Sequence, residues 1–153
     1  MPDYLIQSSQ QTLRAAVEEY SQTFSDQLTS RMLSEDAKRF FRSHDVVHVV
    51  FGCGLTLQDE VVVKISSFFG TTGGFEVIRG YRLPESKEIY DALRWWEIMR
   101  TTALSLVLVP QTISRCFRMR RRWPWRDFDV YLDTPLVELR KQFGISVPNI
   151  SRA

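Results

Sequence analysis

The chain has 153 residues, 44% apolar and 25% charged, with a net charge of +2. This length and balance suit a single globular domain with a real hydrophobic core. They exclude a disordered, collagen-like or repeat chain, and so small a positive charge gives no reason to expect nucleic acid. The two cysteines, Cys53 and Cys116, form neither a CxxC nor a disulfide framework, which fits a reducing compartment. The first residues, MPDYLIQSSQQ, show neither the basic region nor the apolar run of a signal peptide.

Leu13, Ala16, Val17, Tyr20, Phe24 and Leu28 recur at helical spacing, with Ser8 or Ser9 as the expected cap, and a break follows near Met32 and Leu33. Ser34 followed by Glu35 and Asp36 signals a second helix, running from Glu35 to Phe51 and ended by Gly52-Cys53-Gly54. Thr56, with Asp59 three residues on, restarts a helix whose face is Leu57, Val61, Ile65, Phe68 and Phe69, although Val61-Val62-Val63 would also suit a strand. Thr71 to Gly74 reads as a loop, and Gly80 as a second irregular point. Pro84-Glu85-Ser86 opens a long helix through Ile89, Leu93, Trp96 and Met99, continuing toward Val109, where Pro110 is expected to kink or stop it. The uncharged stretch from Thr101 to Ser114 is shorter than the ~20 apolar residues that span a bilayer. After a basic, aromatic loop from Arg118 to Arg126, the last helix has Thr134 as cap, Pro135 in its first turn and Gly144 after its end. The sum is an all-α, single-domain bundle of about six helices over 1–153, with an apolar cleft.

His44 and His48 are the two histidines of the chain, at i and i+4 on a helix face shared with Phe40, Phe41 and Phe51. Asp45 lies on the shoulder of that face. If the second and third helices form an antiparallel hairpin turning at Gly54, His48 lies six residues before the bend and Glu60 six after it. The two then sit level. Two imidazoles and two carboxylates in a dry pocket suit a divalent metal, and they suit a hydrogen-bonded core cluster equally well.

His44-Asp45-Val46-Val47-His48, then eleven residues, then Glu60, resembles the HDxxH-x11-E signature of the coenzyme Q biosynthesis protein four family. Glu60-Val61-Val62-Val63-Lys64 is similar too, as are Arg121-Arg122-Trp123, Thr134-Pro135-Leu136, Leu139-Arg140 and Phe143-Gly144-Ile145. The resemblance covers about the last two-thirds of the chain. It implies a helical fold and a metal held by His44, Asp45, His48 and Glu60, with zinc first and iron or magnesium as alternatives. It also implies a pocket for a polyprenyl tail. The implied activity is ubiquinone biosynthesis: decarboxylation, with hydroxylation coupled or following, at ring C1 of a polyprenyl hydroxybenzoate. The same four residues would then be the catalytic ones. The implied setting is a cytoplasmic protein peripheral to the inner membrane, with other quinone-biosynthesis enzymes or a second copy as partners.

Phe68, Phe69, Trp95, Trp96, Leu104 and Leu108 are the candidate tail-pocket residues, although an apolar stripe is also what any bundle needs. Arg120, Arg121, Arg122 and Trp123 are candidates for an anionic headgroup or membrane surface, set against an ordinary solvated loop. Three other readings stand beside the enzyme. A lipid-binding or scaffold protein would use the metal only for structure. A plain structural bundle would have a buried polar cluster and nothing more. A metal-dependent hydrolase lacks either the upstream histidine of HD phosphohydrolases or the HExxH glutamate that activates water, because Asp45 holds that position.

Overall fold

A computed structural model describes residues 1–28, 34–82 and 95–148, the side chains of 24–28 and 95–105 excepted. Among these residues the chain is all-α: α1 Leu13–Leu28, α2 Glu35–Phe51, α3 Leu57–Phe69, α4 Phe75–Tyr81, α5 Trp95–Arg118 and α6 Leu136–Phe143, with single 3-10 turns at Asp3–Leu5 and Asp129–Tyr131. There is no strand among them, only isolated bridges pairing Thr12 with Pro135 and Thr71 with Trp123. The expected break near Met32 and the expected helix start at Pro84 lie outside the described residues.

Helix α2 is the centre of the bundle. Val46, Val47, Val49 and Val50 are all essentially inaccessible, so the helix is covered on every side over its second half. Its ends are locally written. Ser34 accepts a hydrogen bond from the Ala37 amide, and Glu35 and Asp36 sit at the positive end of the dipole. At the other end Gly52 adopts φ +66°, and the Cys53 amide closes back on the His48 carbonyl. A side chain at Gly52 would also strike Val147, so glycine is required on two counts. Helix α3 starts on a full capping box between Thr56 and Asp59 and is helical throughout, Val61 to Val63 included.

Several expectations are corrected. Thr12, and not Ser8 or Ser9, caps α1 through the Ala15 amide, while Ser9 bonds Asp3. Pro110 does not end its helix: α5 runs through it to Arg118. The ring lies on the exposed side, where the carbonyl it leaves without a partner can be hydrated. The cap of α6 is Pro135, one residue later than Thr134, whose carbonyl is taken by the Leu13 amide. The segment after Gly74 is helix α4, not assigned from the sequence, in which Gly80 reads as an irregular point. Gly80 lies inside α4 because a Cβ there would sit 2.0 Å from the Phe40 ring.

Candidate metal centre

The two imidazoles are stacked along one face of α2, with ring centroids 4.7 Å apart. Both are buried, His44 at 8% and His48 at 2% exposure. Across the hairpin, Glu60 in the first turn of α3 brings its carboxylate between them. His44 Nε2 lies 3.4 Å from Glu60 Oε1, and His48 Nε2 lies 3.3 Å from Glu60 Oε2. One ligand atom from each of the three residues can be chosen so that all lie within 4.8 Å of one another.

The protonation of His48 follows from its partner. Its Nδ1 is 3.0 Å from the Gly54 carbonyl, which can only accept, so Nδ1 carries hydrogen. In the neutral ring Nε2 is then a lone pair aimed at a carboxylate. His44 Nε2 is likewise buried and makes no hydrogen bond. Lone pairs facing a carboxylate call for a cation between them, either a proton on an imidazole or a metal. The donor set suits a divalent metal: ligands ~2.0–2.1 Å from a tetrahedral ion are separated by ~3.4 Å, and the two imidazole-to-carboxylate distances are near this while the three ligand atoms together lie within 4.8 Å. The Gly54 contact is also the kind of second hydrogen bond that fixes the ring of a metal-binding histidine.

Asp45 is not part of this group. Its carboxylate approaches the other side of the His44 ring, 3.7 Å from Nδ1, because neighbouring helical residues point ~100° apart. The four-ligand set read from the sequence becomes three converging residues and one that flanks His44. Burial disfavours the charged His44 ring, but Asp45 and Glu60 outweigh it and lift the group to about 9. Burial likewise opposes ionised Glu60, yet His44 and His48 hold its carboxyl well below the usual range.

Of the rings around the site, Phe40 was expected on the histidine face; Tyr20 and Tyr81 were not placed there. Tyr20 of α1 stacks on His48 with centroids 5.0 Å apart, and Phe40 and Tyr81 flank His44 at 5.8 and 5.9 Å. Burial, then the Glu60 charge, push the Tyr81 phenol well above its ordinary value, so it stays protonated.

Beside the triad an apolar cleft of about 470 Å³ runs between α3 and α4, lined by Lys64, Ile65, Phe68, Phe69, Val77, Ile78 and Tyr81. This volume falls within the ~300–1,000 Å³ usual for small-molecule sites. Phe68 and Phe69 of the candidate pocket line it. Leu108 is half-buried and does not. The side chains of Trp95, Trp96 and Leu104 lie outside the described residues. Five of the lining residues, Lys64, Ile65, Val77, Ile78 and Tyr81, were not among the candidates, although Ile65 was read on the same helix face as Phe68 and Phe69. Lys64 has one sequence signal, its i+4 spacing from Glu60; Val77, Ile78 and Tyr81 belong to the unforeseen helix. Arg120, Arg121 and Arg122 are exposed, but Trp123 is fully buried against Tyr131 and Phe143. Trp123 is therefore a core residue and offers no indole to a membrane, because the segment before α6 folds inward over Phe143.

Set against known protein families, curated proteins and solved structures, the chain finds no match. The site itself therefore carries the functional argument: a buried His44, His48 and Glu60 cluster able to coordinate a divalent metal.

Proposed function

We propose that this chain is a metal-dependent protein of isoprenoid quinone biosynthesis that removes the ring carboxylate at C1 of a polyprenyl hydroxybenzoate. One observation carries the reading: two buried imidazole Nε2 atoms converge on a single, mostly covered carboxylate beside an apolar cleft. The cleft suits a tail, the triad suits a metal, and the HDxxH-x11-E resemblance joins the two to this substrate class. His44, His48 and Glu60 would hold the ion, and Asp45 and the Gly54 carbonyl would fix the two rings. A bound divalent metal supplies Lewis acidity where charge develops as carbon dioxide leaves. Burial of the triad excludes water from that end, and the electron pair left at C1 takes a proton.

Among the described residues no helix is long and apolar enough to cross a membrane. Exposed Phe75, Ile78 and Phe117 adjoin the cleft, with Arg118, Arg121 and Arg122 also exposed, which supports docking on an anionic lipid surface. A second reading, a lipid carrier with a structural metal, draws on the fact that the three ligands join α2 to α3 and would staple the hairpin.

The test is elemental analysis of the purified protein beside His48→Ala, followed by assay of carbon dioxide release from a prenylated hydroxybenzoate. Near-stoichiometric metal, lost in the variant while far-UV circular dichroism is kept, is expected together with metal-dependent release. Iron in place of zinc would open the hydroxylating branch, since zinc has no redox chemistry. Metal without release leaves the carrier. Absence of metal after reconstitution reduces the triad to a polar cluster and removes the proposal.

A further inference from the structure

Helix α5 is built inside out over its second half. It buries Thr112 and Cys116, 1% and 7% exposed, while Leu106, Val107 and Phe117 stand out at 78%, 57% and 72%. With Pro110 and Ser114, both exposed, these three recur at helical spacing and form one stripe along the helix. A helix that faces water carries the opposite pattern. No charged residue lies between Arg100 and Arg115, and no acidic residue between Glu97 and Asp127. At the end of the stripe the charge is of one sign, from Arg115, Arg118, Arg120, Arg121 and Arg122. Among the described residues none of these is paired with a carboxylate. Arg115 and Arg118 meet the stripe in a shallow groove of about 470 Å³, lined also by Pro110, Gln111 and Ser114.

A second copy of the chain is too large a partner for this face. The stripe is about 17 Å long and roughly 10 Å wide, so it offers about 170 Å² where a stable protein interface uses ~800 Å² per partner. A lipid leaflet has no such minimum. It takes an apolar helix face into its acyl boundary and basic side chains against its anionic headgroups.

We infer that the outer face of α5 lies in the plane of an anionic phospholipid leaflet, with Leu106, Val107 and Phe117 among the acyl chains and a lipid phosphate held in the groove by Arg115 and Arg118. The inference rests on the docking proposed for the cleft rim, and goes beyond it by adding a second embedded element and a phosphate site. Phe117 joins the two surfaces, since its ring lies 6.1 Å from that of Phe69 in the cleft wall. A lipophilic ligand then passes from leaflet to cleft along Phe117 without crossing water.

The experiment sediments the full chain with vesicles of phosphatidylcholine alone and of phosphatidylcholine mixed with phosphatidylglycerol. Beside the parent stand the pair Leu106→Ser/Val107→Ser, the pair Arg115→Gln/Arg118→Gln, the rim variant Phe75→Ser, and Val130→Ser as a control, Val130 being 79% exposed beside Asp129. The parent is expected to bind the mixed vesicles and to bind the neutral ones far more weakly. The arginine pair should weaken binding to the mixed vesicles about 30-fold, roughly fivefold for each charge. The Leu106 and Val107 pair should weaken it at least about 10-fold, and Val130→Ser should bind as the parent does. Far-UV circular dichroism and metal content should be unchanged throughout. If Arg115→Gln shifts the urea midpoint, because Arg115 also donates to Thr112, Arg118→Gln alone carries the test at about fivefold. Full binding by both α5 pairs, with loss in Phe75→Ser, overturns the placement of α5 and leaves the rim docked. A Leu106 and Val107 pair that changes the oligomeric state but not vesicle binding gives the stripe to a second copy and overturns it too. Equal binding to neutral vesicles, or an equal loss in Val130→Ser, has the same force. Failure of the parent to bind either vesicle is a different result, because it overturns the docking itself, and the α5 inference falls with it.

Discussion

Two buried charged sites lie at opposite ends of the second half of α2, and they are built on opposite rules. At the C-terminal end Arg140 of α6 is 1% exposed, with no carboxylate among its hydrogen-bond partners. Its guanidinium instead donates to four backbone carbonyls: Val49 and Val50 at 2.9 Å, and Tyr4 and Ile6. Two of these are carbonyls from the last turn of α2, where a cation also complements the helix dipole. A turn nearer the middle, the triad is built on charge instead: the Glu60 carboxylate, 20% exposed, faces the two ring nitrogens at 3.3 and 3.4 Å. A buried charge spent on backbone carbonyls holds a fold together. One that gathers two imidazoles and a carboxylate is suited to bind a cation.

The comparison can be broken most forcefully at Arg140. Arg140→Met removes the donor to four backbone carbonyls and should lower stability by ~3–5 kcal/mol, read as a shift of the urea midpoint at unchanged slope. A loss within the error of the midpoint would show that the carbonyls find water and that Arg140 is no keystone. The next effect is in pH. Because the folded His44 group is raised to about 9, it stabilises the metal-free protein fully below its ordinary value near 6.5, and this stability is lost as pH rises through 9. Glu60 has the opposite sign, its contribution being lost as pH falls below the ordinary carboxylate range. The metal-free protein should therefore weaken by up to ~2–3 kcal/mol between pH 6.5 and 9. With saturating metal the trend should reverse, because the ion competes with the proton for His44. Urea titrations with chelator and with zinc would show the two curves diverging; parallel curves would separate His44 from the ion. The smallest effect is at Asp45. If it orients His44 and is not a ligand, Asp45→Asn should keep the metal and weaken its binding only ~10- to 100-fold. Complete loss of metal would restore it to the ligand set.

The hairpin was legible in the sequence because its instructions are local. Ser34, Gly52 and the Thr56–Asp59 box set the ends of α2 and α3, and counting six residues either side of Gly54 brought His48 opposite Glu60. What was hidden depends on neighbours distant in sequence. Gly80 looked like a helix breaker, yet it is there to let Phe40 approach α4. Lys64 took on meaning only once α4 supplied the other wall of a cleft. Arg140 and Trp123 sit in strings that read as solvated charge, and only the folding of the N-terminal turn and of α6 over them shows that both are interior. Asp45 was assigned with its neighbour, whereas the rotation of the helix sends the two side chains apart.

The guanidinium of Arg140 also sets an order of events. It joins residues 4 and 6 to residue 140, sequence separations of 136 and 134. Contacts of such long range form late, after much chain entropy has been surrendered. During synthesis, which proceeds from the N-terminus, the three residues able to hold a metal are all present once residue 60 has emerged. The exposed end of α2 cannot be sealed until eighty residues later. The nascent hairpin thus has a long interval in which its binding residues are assembled and its backbone is still open, so an ion can be loaded before the domain closes.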